Sequence, residues 1–172
     1  MSTPNWALTI AYWLHMLATV VWIGSLCTLS LLVLPAARQS LEAKDFATLI
    51  SKIQKRFNPI AWFGLFLLLA TGMIQLSANP NYRGLLVIED RWSVVILIKH
   101  ILFFITILVS GYMTWFLLPQ LQRLAIKRKN IMVDEQINTQ KYSLEKRETY
   151  LLTLNIILGT IILALTAIAR TS

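Results

Sequence analysis

The chain has 172 residues, of which 56% are hydrophobic and only 14% charged, with a mean hydropathy of +0.62. A soluble domain carries about 25% charged residues, so the composition excludes a water-facing surface and points to an integral membrane protein. The net charge of +8 does not make nucleic acid a partner: the Lys and Arg residues gather in two segments between hydrophobic runs, where membrane topology accounts for them, and no recognition motif accompanies them.

Four hydrophobic stretches follow one another: Trp6–Leu34, Pro59–Leu76, Trp92–Leu118 and Tyr150–Ala169. Each meets or approaches the roughly 20 residues a helix needs to cross the hydrocarbon. The expected fold is therefore all-α, a membrane four-helix bundle forming a single domain over residues 1–172, with spans near 6–34, 59–77, 92–118 and 149–169. The first run has no Lys or Arg before it and is about twice the length of a secretory apolar core, so it reads as a span rather than a signal peptide. Cys27, the single cysteine, lies inside that run. It has no intrachain partner and reads as a small apolar residue.

Pro35 and Pro119 are expected to end the first and third helices, and Asn58-Pro59 to begin the second. Trp6, Trp13, Trp62, Trp92 and Trp115 fall near the expected interfaces, as an aromatic belt requires. Between the first two spans, Leu41, Phe46, Leu49, Ile50, Ile53 and Phe57 recur at helical spacing among charges, which predicts a short amphipathic helix on the membrane surface. The outer segment 79–91 opens with turn chemistry. The connection through IKRKNIMVDEQINTQKYSLEKRE reads as a solvated helical extension or loop.

Charge counting sets the expected orientation. Arg38, Lys44, Lys52, Lys55 and Arg56 lie in the first connection, and Arg123, Lys127, Arg128, Lys129, Lys141, Lys146 and Arg147 in the third. The opposite side has only Arg83, Arg91 and Arg170. The basic side should be cytoplasmic, with both termini outside. The two halves also echo one another: His15 precedes Pro35 and Arg38, and His100 precedes Pro119 and Arg123. Two hairpins of parallel topology related by an axis along the membrane normal would carry that pattern.

His15 and His100 are the only histidines, and both fall within spans, where ionisable residues are rare and functional by default. His15 follows Trp6, and His100 follows Trp92, by about 13 and about 12 Å of helix rise. The first and third helices run in the same direction and are diagonal in a sequential bundle, so the imidazoles are expected at one level across the core. Such a pair can hold a haem iron from both faces. With no Cys-x-x-Cys-His motif the haem would be b type. Small residues (Ala11, Ala18, Thr19, Ser93, Gly111) would leave room for the macrocycle, and Phe103 and Phe104 would pack on it. Interhelical hydrogen bonding and another metal remain open alternatives for the same pair.

Lys99 adds a charge at that depth, and all eight acidic residues fall outside the expected spans. A haem propionate would neutralise it, with Arg83 and Arg91 as further cationic candidates; outward snorkelling is the alternative. The lack of acids disfavours a carboxylate-based pump or acid/base enzyme, and no catalytic residue is expected. Gln75 and Asn155 read as interhelical hydrogen-bonding groups, and Thr71-Gly72 and Gly159 as points of close helix approach.

Three stretches carry a family resemblance: WLHMLATVVWIGSL with His15 and Trp22–Gly24, RFNPIAWFGLFLLLATGM with Ala70-Thr71-Gly72, and LLVIEDRWSVVILIKHIL with Lys99. Over roughly residues 8–118 the chain resembles the copper-resistance D membrane proteins, and more distantly the four-helix membrane protoporphyrinogen oxidases. The first resemblance implies a multi-spanning protein of the bacterial inner membrane concerned with copper; the second implies haem association through the first-helix histidine. His15, Met16, Met73 and Cys27 are soft ligands suited to Cu(I). Read together, the residues lead to an expected bis-His haem b held by His15 and His100, with Lys99 and Arg91 beside it, in electron transfer. Its partners would be the lipid bilayer and either subunits of a redox complex or further copies of the chain. Copper binding or transport, and porphyrinogen oxidation, are the alternatives.

Overall fold

The computed structural model describes residues 4–84, 88, 90–130 and 135–171. Four long helices make up the fold. Helix α1 is Asn5–Ser40 and α2 is Ala43–Ser77. Helix α3 runs without interruption through Arg91–Tyr112, Met113–Leu117 and Leu118–Asn130, and α4 is Glu135–Thr171. All four are long and apolar enough to cross a membrane, where only a helix or closed barrel satisfies its backbone without water. Large apolar side chains cover the outside of the spans, Leu31, Phe63, Phe66 and Leu108 among them, which suits lipid and not water.

The prolines do not stop α1 and α3. A proline lacks an N–H, and its ring collides with the carbonyl four residues back. Here a π-helical turn precedes each one, Thr28–Val33 before Pro35 and Met113–Leu117 before Pro119. Leu34 N–H reaches back five residues to Leu29 O, and Leu118 N–H to Met113 O. The widened turn gives the ring room and the helix continues. Pro59 likewise lies inside α2 rather than at its start.

The expected surface helix between the first two spans is accordingly not separate. It forms the first turns of α2, where Phe46 and Ile50 pack into a core with Leu29, Leu34, Met113, Leu117 and Leu152. Leu41 and Leu49 stay exposed. Helix α3 starts at a capping box: Asp90 Oδ1 accepts from Ser93 N–H at 2.8 Å, and Ser93 Oγ accepts from Asp90 N–H at 3.2 Å. The bond from the Ser93 backbone holds the Asp90 carboxyl below its ordinary range. The sequence-predicted turn at 79–91 is described except for 85–87 and 89, and the basic connection except for 131–134.

Neighbouring helices are antiparallel. His15 meets Thr71 and Ala11 meets Gln75 across α1 and α2, while Ser110 meets Asn155 across α3 and α4. Helix α4 also lies along α1, with the Trp22 ring against Gly159. Trp62 and Trp115 stack at 5.0 Å between α2 and α3. This leaves α1 and α3 diagonal and brings both chain termini to one end, the terminal end; Arg38 and the start of α2 mark the other, basic end.

Glu148, outside the spans by sequence, is buried there at 3% exposure and accepts from Gln54 Nε2 at 3.2 Å. Because α4 begins well before its apolar run, that turn packs into the bundle instead of standing in water. Leu117 marks the centre of the same packing, with 1% exposure, whereas Phe104 is 60% exposed on the lipid face. Leu117→Ala should cost about 2–5 kcal/mol and Phe104→Ala within about 0.5 kcal/mol, read as unfolding of the detergent-solubilised protein; equal losses would show that the basic-end core is not what holds the bundle.

A candidate metal and cofactor cavity at the terminal end

Between the four helices, in the half nearer the termini, lies a cavity of about 560 Å³, within the usual 300–1,000 Å³ range of ligand sites. Asn79, Trp92 and Arg170 lie towards its outer end, and Trp22, Phe103 and Gly159 towards the bundle centre. His15 on α1 and His100 on α3 both line it, as does Lys99. Their levels follow from contacts. The Trp22 ring lies against Gly159, and Asn155, one turn nearer the basic end of α4, meets Ser110 on α3. His15 lies about two turns outward from Trp22 and His100 about three outward from Ser110, so their Cα atoms lie within about one helical turn, ~5.4 Å, in height. The Arg170 guanidinium stands 5.8 Å from the Tyr12 ring, at the outer end.

Each ring has a settled tautomer. A carbonyl oxygen only accepts, so His100 Nδ1–H donates to Ile96 O at 2.7 Å. Thr71 Oγ1 gives its one proton to Leu67 O at 2.6 Å, and can then only accept from His15 Nδ1–H, 2.8 Å away. Both bonds leave Nε2 as the unprotonated nitrogen, with its lone pair free for a metal. A donor bond from the other ring nitrogen is also what orients metal-ligating histidines in general. Among the described residues, interhelical bonding therefore accounts for one nitrogen of His15 and none of His100.

The His15 ring rests on α2 at Gly72, where an added Cβ would make an ordinary 3.5 Å contact with the imidazole Cε1, so the ring does not depend on the glycine. Gly159 is tighter: an added Cβ would stand 3.2 Å from the Trp22 ring, which would have to give way. The interhelical bonds expected of Gln75 and Asn155 are present: Gln75 Nε2 donates to Ala11 O at 3.3 Å, and Asn155 Nδ2 to Ser110 Oγ at 3.3 Å.

Several expected residues lie elsewhere. Arg91, the first residue of α3, is exposed and outside the lining. Phe104 faces outward one position past Phe103. Gly111 lies nearer the basic end, against the Trp115 ring, and Ser93 is used in the cap. Met73 and Cys27 do not line the cavity, though Met16 does. Trp92, expected in the aromatic belt, is buried at 6% exposure and lines the cavity. Arg170 was readable only as an outer-side charge; the return of α4 alongside Tyr12 and Lys99 brings it to the cavity, and no spacing in the sequence signals that.

Among the described residues no three His, Cys, Asp or Glu side chains converge as a metal cluster. The chain matches the family described as Copper resistance protein D over residues 51–169. It belongs to that family. The matched stretch takes in Thr71, Lys99, His100 and Arg170, whereas His15 lies before it. No curated protein and no solved structure matches the chain.

The two tautomers are open to direct measurement. In 15N spectra of the ligand-free protein both imidazoles should show protonated Nδ1 and bare Nε2. Thr71→Val should abolish that preference at His15 and leave it intact at His100; a mixed tautomer at His100 in the wild type would contradict the geometry.

Proposed function

We propose that this copper-resistance D family protein is a copper-handling protein of the bacterial inner membrane, binding copper in the terminal-end cavity through Nε2 of His15 and Nε2 of His100. The observation that carries the reading is the presence of two imidazoles, each with its Nδ1 proton committed, on one cavity inside a lipid-embedded bundle. Imidazole suits copper, and copper(I) accepts as few as two donors. The thioether of Met16 is a third, softer donor on the same wall. With the basic end in the cytoplasm, as the Lys and Arg bias favours, the cavity faces the outer side and receives its metal from there.

A second reading has its own support. A bare ion does not need about 560 Å³ reached by all four helices and walled by Tyr12, Trp92 and Phe103. A b-type haem would use that space, and two axial histidines would leave no iron position for oxygen or substrate. The protein would then be an electron carrier, alone or as a subunit of a membrane redox complex, with no catalytic residue of its own. Porphyrinogen oxidation, the remaining alternative, has no residue in the cavity to recommend it over these two.

Metal analysis and a visible spectrum of the purified protein separate the readings. Copper without iron, lost in both His15→Ala and His100→Ala, is the outcome expected of the copper centre. Sharp reduced-minus-oxidised α and Soret bands, lost in the same variants, would establish haem instead. Thr71→Val, which keeps His15 but removes its orienting partner, should weaken the metal about 10–100-fold. A protein that binds neither copper nor haem would refute both.

A further inference from the structure

The cavity holds charge of one sign. Lys99 and Arg170 line it together, and no Asp or Glu is among its lining residues. The ion pair Lys141–Glu145 lies on the polar part of α4, far from the cavity. Lys99 is half-buried and lines the cavity with His15, His100 and Arg170. Arg170 is held over the Tyr12 ring at 5.8 Å, which fixes its guanidinium beside the outer end. Two cations thus share the cavity with the imidazoles: Lys99, half-buried and next to His100, where charge is poorly screened, and Arg170, exposed at the outer end.

That arrangement is a poor receptor for a bare metal ion. A cation moving toward His15 and His100 meets both positive charges with no carboxylate to offset them. The chain also supplies few ligands, since no third His, Cys, Asp or Glu converges with the two histidines. Both deficits disappear if the metal arrives already chelated. An anionic ligand would neutralise Lys99 and Arg170, supply the remaining coordination positions, and fill the apolar space.

We propose that Lys99 and Arg170 form an anion-recognition subsite of this cavity, and that the cavity takes its metal as a complex with an apolar, carboxylate-bearing chelate rather than as a bare ion. The inference rests on the reading of the cavity as the metal site. The carboxylates sit at the outer end on Arg170 and Lys99, and the chelated metal lies deeper, at the level of the two Nε2 atoms. Carboxylate-bearing macrocycles and smaller copper chelates share this chemistry.

The test isolates the charge from the metal. Full-length protein in phosphatidylcholine nanodiscs is titrated with metal-free protoporphyrin IX, which carries two carboxylates, and with its uncharged dimethyl ester, following porphyrin fluorescence. The diacid should bind about tenfold or more tightly than the ester, the scale of one charge-assisted hydrogen bond. Lys99→Gln and Arg170→Gln should each erase most of that preference, and Lys99→Arg should keep it, with circular dichroism confirming that each variant is folded. A wild type that does not favour the diacid, or a preference that survives both glutamine variants, overturns the subsite. A preference that vanishes when phosphatidylglycerol is included assigns the subsite to a lipid headgroup and overturns the chelate. Parallel titrations with copper(I) alone, with a copper(II)–carboxylate chelate and with iron protoporphyrin IX distinguish the sources and keep the two claims apart. If none gives a histidine-dependent signal while the diacid preference stands, the metal reading fails and the anion subsite remains. Histidine-dependent metal binding without the diacid preference has the reverse meaning.

Discussion

No water reaches the hydrocarbon core to hydrogen-bond a side chain, so each polar group on a spanning helix must find its partner inside the bundle. That constraint organises this protein. Gln75 donates to the Ala11 carbonyl, Asn155 to Ser110, and His15 to a threonine whose own proton is already committed to Leu67. Each of these bonds joins two helices or orients a ring. Among the described residues, buried Thr106 Oγ1 and Asn155 Oδ1 are exceptions to the constraint. The cavity keeps the two imidazole Nε2 atoms, Lys99, and Arg170 over the Tyr12 ring, the groups on which the proposed ligand site rests.

The two ends of the bundle are built differently for the same reason. At the basic end, residues from all four helices close over one another, and Glu148 is tolerated in that packing because Gln54 satisfies it. At the terminal end the helices meet at chosen points only. The His15 ring rests on Gly72 and the Trp22 ring on Gly159, and the space beyond those points is the cavity. Close packing at the basic end and a mostly apolar lining with a few polar groups at the other place the cavity in the terminal half.

The two histidine-bearing helices also share a local anatomy. Thirteen residues after each histidine a π-helical turn begins, and each turn runs up to a Leu-Pro pair, Leu34-Pro35 and Leu118-Pro119. The His–Pro–Arg echo in the sequence thus corresponds to a repeated backbone feature, and the two hairpins share both direction and hinge-like widening. Pro35 and Pro119 were readable as helix stops because a proline removes an N–H and crowds the preceding turn. That the chain would widen the turn and continue depended on the packing of Leu29, Met113 and Leu117 on either side, which holds the helix in line through the break.

From the sequence alone came the four spans, their likeness to the copper-resistance D family, the matched depth of His15 and His100, and the isolation of Lys99 from any acid. The likeness rests on three short motifs, and the rest follows from periodicity, run length and residue counts, which one-dimensional information carries in full. The tertiary structure decided the rest. It assigned the Nδ1 bonds that free both Nε2 atoms, drew Arg170 and Trp92 to the cavity, left Arg91 outside it, and buried Glu148. Each of those outcomes depends on helix rotation and on which helix lies alongside which. Rotation is set by the sum of many small contacts between helices distant in the chain, and no local run of residues records that sum.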